Sequence, residues 1–137
     1  MLASLIYAIF KAFKGIKAKR PFTKANDSIR HWTATIAHIQ LVIGIMLYSQ
    51  SPLVKYFWRN FSVAVKNPDA AFFGFIHVFL MSTAIVLITI GSALAKRKLT
   101  DQEKFRTMFN WFGLALIIIL LSIPWPFYPF AARPLLR

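Results

Sequence analysis

AAFFGFIHVFLMSTAIVLITIGSALA, residues 70–95, contains no Asp, Glu, Lys or Arg. As an α-helix it would be about 39 Å long at 1.5 Å per residue, enough to cross a hydrocarbon core of about 30 Å. Two flanking segments read the same way, from about His31 to Leu53 and from Thr107 to about Trp125. Each approaches or exceeds the roughly 20 residues a membrane span needs. Helix starts are marked. Asp27 and Ser28 are candidate caps for the first span and Asp69 for the second, while Thr100 with Glu103 in LTDQEKF makes a capping box ahead of the third. Pro124, Pro126 and Pro129 stop its far end.

Upstream, Leu2, Leu5, Ile6, Ile9, Phe13 and Ile16 recur at helical spacing, with Lys11 and Lys14 on another face. This pattern suits an in-plane amphipathic helix. It suits equally a short span whose lysines snorkel to the interface. The stretch is not a signal peptide by pattern, because its charges follow the apolar residues and no small-residue cleavage site is evident, so it is expected to be retained. The expected fold is all-α: a polytopic transmembrane bundle of four helices, at about 2–16, 29–53, 70–95 and 101–124, in one domain.

Composition agrees. Of 137 residues, 58% are hydrophobic and 16% aromatic, more apolar surface than a soluble domain of this length can hide. Cysteine is absent, which excludes disulfides and thiolate chemistry. The net charge of +13 comes from clusters beside apolar runs, and no nucleic-acid recognition motif accompanies it. Residues 11–30 carry seven Lys or Arg and residues 96–106 carry five, against three in the other connection and two in the tail. The positive-inside rule therefore puts both basic connections in the cytoplasm and the C-terminus on the opposite side of the membrane. Tyr56, Phe57, Trp58 and Phe61, with Trp125, Phe127, Tyr128 and Phe130, are expected to form the outer aromatic belt.

Asp27, Asp69, Asp101 and Glu103, the whole acidic complement, lie in loops or caps, which weighs against a proton pump or cation-coupled carrier. No phosphate-cradling loop or nucleophile–base pattern is present. His31 sits at an interface beside Trp32. His38 and His77 fall inside neighbouring spans, where imidazole is either an axial haem ligand or an interhelical hydrogen-bonding group. His38 lies four residues cytoplasmic of its span's middle, near Val42, and His77 five residues outward of Ser82, an offset of roughly 13 Å at the helical rise. Met46 lies within roughly 2 Å of His77 in depth by the same rise and makes the easier ligand pair. Gly74, one turn before His77, would admit a flat macrocycle or another helix. Gln40, Ser82, Thr83, Thr89 and Asn110 read as interhelical hydrogen-bonding groups.

KRPFTKANDSI (19–29), AHIQLVIGIMLYSQSPLV (37–54), FFGFIHVFLMSTAIVLITIG (72–91) and IPWPF (123–127) resemble the small bacterial integral membrane proteins commonly labelled "cytochrome B". The resemblance implies four membrane helices, one b-type haem, His38 and His77 as the matching histidines, and a redox partner or larger membrane complex. It also implies a further histidine in the first helix, in a His-x-x-Leu-Arg setting. MLASLIYAIF has none, as a late start codon would explain. Where relatives carry an acidic residue before the third-helix histidine, this chain has Ile76. The leading expectation is a single-haem electron-transfer subunit with His77, then His38 and Met46, as haem and iron ligands. The alternative is a haem-free accessory or scaffold subunit; neither is a stand-alone enzyme.

Overall fold

A computed structural model describes residues 1–125, and every regular element among them is helical. The elements are α1 (Leu2–Lys17), α2 (Lys24–Gln50), α3 (Pro52–Arg59), α4 (Phe61–Ala64), α5 (Pro68–Ala71), α6 (His77–Arg97) and α7 (Asp101–Ser122). A π-helical turn, Phe72–Ile76, joins α5 to α6 into one continuous helix, Pro68–Arg97. Lys24–Gln50, Pro68–Arg97 and Asp101–Ser122 are long and apolar enough to cross a membrane.

The helix starts differ from two of the expected caps. Thr23, not Asp27 or Ser28, caps α2, its hydroxyl accepting from the Asn26 amide at 3.4 Å. Asn67, not Asp69, caps α5 at 3.1 Å, with Pro68 following in the first turn. In both cases an Asx or Thr side chain further upstream reaches the free amides first, and the expected cap falls inside the first turn. Thr100 and Glu103 form the capping box reciprocally. At its far end α2 stops at Gln50, ahead of Pro52, and Ser51 caps α3. α7 ends at Ser122, just before Pro124. Pro126, Pro129, Phe127, Tyr128, Phe130, Arg133 and Arg137 lie outside the described residues.

α6 and α7 form a closely packed antiparallel hairpin. Gly91 makes this possible, since a Cβ there would run into the Cβ of Trp111. α1 packs as a further helix against α7 and α2, with Gly15 under the Phe105 ring and the Thr33 hydroxyl donating to the Ser4 carbonyl at 3.4 Å. Its buried stripe is Leu5, Ala8, Ala12 and Gly15, whereas Ile6 and Phe13 are half exposed. Of the apolar residues at helical spacing, Leu5 is buried and Leu2, Ile9 and Ile16 pack against the core, and only Ile6 and Phe13 turn away from it. In lipid there is no hydrophobic gain in burying them against protein, and small residues let helices approach more closely. At 16 residues α1 is about 24 Å long, shorter than the hydrocarbon core.

The two basic connections meet at one end of the bundle, where the Gln102 amide donates to the Gly15 and Arg20 carbonyls at 3.3 and 3.5 Å. Just inside that end Arg30 is buried. Its Nε donates to Asp27 at 2.9 Å, and its Nη1 to the carbonyl and hydroxyl of Ser92 at 3.0 and 2.5 Å, tying α2 to α6. No other ion pair occurs among the described residues. At the opposite end α3, α4 and α5 close over a small cluster of Phe57, Ala64 and Ala70. Phe57 is therefore core, not belt, because its ring fills the space that the missing Gly74 side chain leaves; Tyr56, Trp58 and Phe61 are exposed as a belt would be. Past Ile39 the outward half of α2 loses most of its protein contacts, and a groove opens between it and α6.

Candidate functional site

The groove has a volume of about 300 Å³ and is open along one side. Leu41, Gly44 and Tyr48 of α2 form one wall, and Phe73, His77 and Met81 the other. The π-helical turn shapes its outer end. Such turns unsettle the regular ladder and recur at functional sites. Here the Gly74 carbonyl accepts a bond from the Tyr48 hydroxyl at 2.7 Å, and the Tyr48 oxygen accepts from the Trp58 indole at 2.8 Å. α2, α3 and the π-helical turn are thus braced together. Gly74 admits the side of α3, and no macrocycle has room against it there.

His77 opens α6 immediately after this turn. Its Nδ1 lies 2.8 Å from the carbonyl of Ser122, one of the last carbonyls of α7, which has no partner in its own helix. A carbonyl only accepts, so the proton sits on Nδ1, and in the neutral ring Nε2 carries a lone pair. Nε2 has no hydrogen-bond partner among the described residues. His77 lines the groove.

His38 is placed differently. Its Nδ1 is 2.8 Å from the Ala34 carbonyl and its Nε2 is 3.1 Å from the Thr89 hydroxyl. Both nitrogens thus have partners, and the Thr89 hydroxyl shares its one proton between His38 and the Ile85 carbonyl of its own helix at 2.8 Å. Thr89 lies twelve residues beyond His77 on α6, which separates the two histidines by about 18 Å along the helix. Met46 is 59% exposed and does not line the groove. His31 stacks edge-on against Trp32 at the basic end. Of the expected interhelical groups, Thr89 acts as one, Thr83 bonds the Phe79 carbonyl of its own helix, and Gln40 and Ser82 line the groove.

The haem implied by the resemblance needs an iron ligand on at least one face and usually two. Among the described residues His77 is the histidine that lines the groove, and Met81, the methionine beside it, has its sulfur bonded by the Ser122 hydroxyl at 3.0 Å. Neither His38 nor Met46 stands opposite His77, and no group of three His, Asp or Glu side chains gathers among the described residues. These side chains do not fit a haem gripped between two ligands of this chain. A second hollow of about 650 Å³, beneath the short outer helices, is lined by Phe57, Trp58, Phe61 and Phe75 with Lys66, and has no metal-ligating side chain.

The Tyr48–Gly74–Trp58 brace and the Ser122 partner of His77 are not visible in spacing. The only hint is Gly74 among phenylalanines. Comparison with protein-family models, curated proteins and solved structures gives no match.

Proposed function

We propose that the chain is a haem-free accessory subunit of the bacterial inner membrane, with its basic end in the cytoplasm, acting inside a larger membrane complex. One observation carries this reading. Each span histidine bridges two helices, His38 joining α2 to α6 and His77 joining α6 to α7, at depths about 18 Å apart. Interhelical polar contacts of this kind hold a bundle in register within lipid. Net charge supports the orientation, since the Lys and Arg clusters share one end.

A second reading draws on a specific feature of His77. An Nδ1–H bonded to a carbonyl is also how a ligating imidazole is oriented, so a cytochrome b-like electron carrier would use His77, with the opposing ligand from a partner. A reduced-minus-oxidised absorption spectrum separates the two. Protein purified in mild detergent, from cells supplied with haem precursor, is expected to show no b-type band. A stoichiometric band that disappears in His77→Ala would overturn the haem-free reading.

A further inference from the structure

We propose that the hollow beneath α3, α4 and α5 is a site for one anionic phospholipid, with an acyl chain among its aromatic side chains and the phosphate beside Lys66. The inference goes beyond the accessory-subunit reading and does not depend on it, because the hollow shares no residue with the groove that His77 lines.

Depth is the first reason for a lipid. α5, the π-helical turn and α6 form one continuous helix, so its residues mark heights in the bilayer. Counted from Ser82 at the middle of the span, Phe75 stands about 10 Å out, Ala71 about 16 Å and Pro68 about 21 Å. The hydrocarbon ends about 15 Å from the middle and the headgroups about 20–22 Å from it. All three residues line the hollow, together with Lys66 just ahead of Pro68. The hollow therefore runs from hydrocarbon, past its boundary, to the level of lipid phosphates. Its lining changes along the membrane normal as a lipid does, apolar below and cationic above.

The side chains suit both ends of such a molecule. Trp58 and Phe61 lie nearly parallel, 16° apart, and the Trp58 N–H is committed to Tyr48, so the pair presents apolar ring faces. Apolar space that opens on a bilayer is filled by acyl chains, since a void would leave its walls without dispersion contacts. A volume of about 650 Å³ is ample for part of one chain. Lys66 is the charged side chain of the lining, no carboxylate accompanies it there, and it takes part in no ion pair among the described residues. One lysine at the membrane surface strengthens binding of an anionic headgroup about fivefold. A zwitterionic lipid gains less, because its own cation offsets the phosphate.

The test uses the full chain in lipid bilayers, with Trp32, Trp111 and Trp125 replaced by Phe so that Trp58 alone reports from the hollow. Quenching of Trp58 by acyl-brominated phosphatidylglycerol in competition with unbrominated phosphatidylcholine, and the reverse, gives the relative affinity of the two lipids at that place. A preference of about fivefold for phosphatidylglycerol is expected. Lys66→Gln should bring it to about one, whereas Lys55→Gln, in the same connection but outside the lining, should leave it unchanged. Ala71→Phe fills the hollow and leaves Lys66 in place, and it should abolish the preference too; attraction of lipid to Lys66 from the open surface would survive it. Should the tryptophan replacements prevent folding, spin-labelled forms of both lipids on the chain with all its tryptophans give the same comparison through the difference that Lys66→Gln makes. No quenching of Trp58, as when a second copy covers the hollow, equal affinity for the two lipids, or an undiminished preference in Lys66→Gln or Ala71→Phe overturns the proposal.

Discussion

Replacing Gly91 by alanine should destabilise the protein, against the ordinary preference of helices for alanine. In an open helix position Gly→Ala gains about 0.8–1 kcal/mol. At Gly91 the added Cβ meets the Cβ and Cγ of Trp111. A Cβ is bonded directly to its backbone and has no rotamer by which to withdraw, so α6 and α7 must separate locally. Overpacking of this kind costs typically 1–3 kcal/mol, and at a contact this close the upper half of that range applies. The net expectation is a loss of about 1–2 kcal/mol. Gly44 and Gly113 supply internal controls, because a Cβ at either meets nothing within 4 Å. Their alanine variants should be neutral or up to about 1 kcal/mol more stable. Reversible unfolding in mixed micelles of mild detergent and dodecyl sulfate, followed by far-UV circular dichroism, measures all three. Gly91→Ala as stable as Gly113→Ala would refute the described α6–α7 packing.

Thr89→Val and His38→Leu should show a coupling of about 0.6 kcal/mol, and no more than about 1.7, in a double-mutant cycle in the same assay, as for other hydrogen bonds between membrane helices; zero coupling would mean the two side chains do not meet. Tyr48→Phe removes the donor to Gly74 and the acceptor for Trp58, so a loss of about 1–2 kcal/mol and a shifted Trp58 emission are expected, and an unchanged spectrum counts against the brace. Thr100→Ala should cost about 1 kcal/mol through loss of the capping box, read as increased amide exchange confined to the first turn of α7.

The spans were legible because hydrophobic length is a direct consequence of bilayer thickness, and the run from residue 70 to 95 carries that signal without interruption. The capping box was legible because Thr100 and Glu103 satisfy each other locally. The buried face of α1 was not. Apolar periodicity puts Ile6 and Phe13 on one face with Leu5 and Ile9, but it does not show that the small stripe of Ala8, Ala12 and Gly15 faces the neighbouring helices. The depth mismatch of His38 and His77 could be estimated from span centres at roughly 13 Å, and the helical register of Thr89 raises it to about 18 Å. Met46 has the right depth and the wrong azimuth, which a count of residues from span centres does not register. The π-helical turn before His77 leaves no mark in composition, and the contacts made on it by Phe57 and Tyr48 come from residues distant in sequence.

Both readings of His77 depend on where its proton sits, and nitrogen NMR of the ¹⁵N-histidine-labelled protein in lipid bilayers measures this directly. In both His38 and His77 the Nδ1 nitrogen is expected to carry a proton donated to a backbone carbonyl, of Ala34 and Ser122 respectively, and His38 Nε2 to be hydrogen-bonded to Thr89. A His77 ring protonated only at Nε2, or an Nε2 signal displaced by bound iron, would contradict the account.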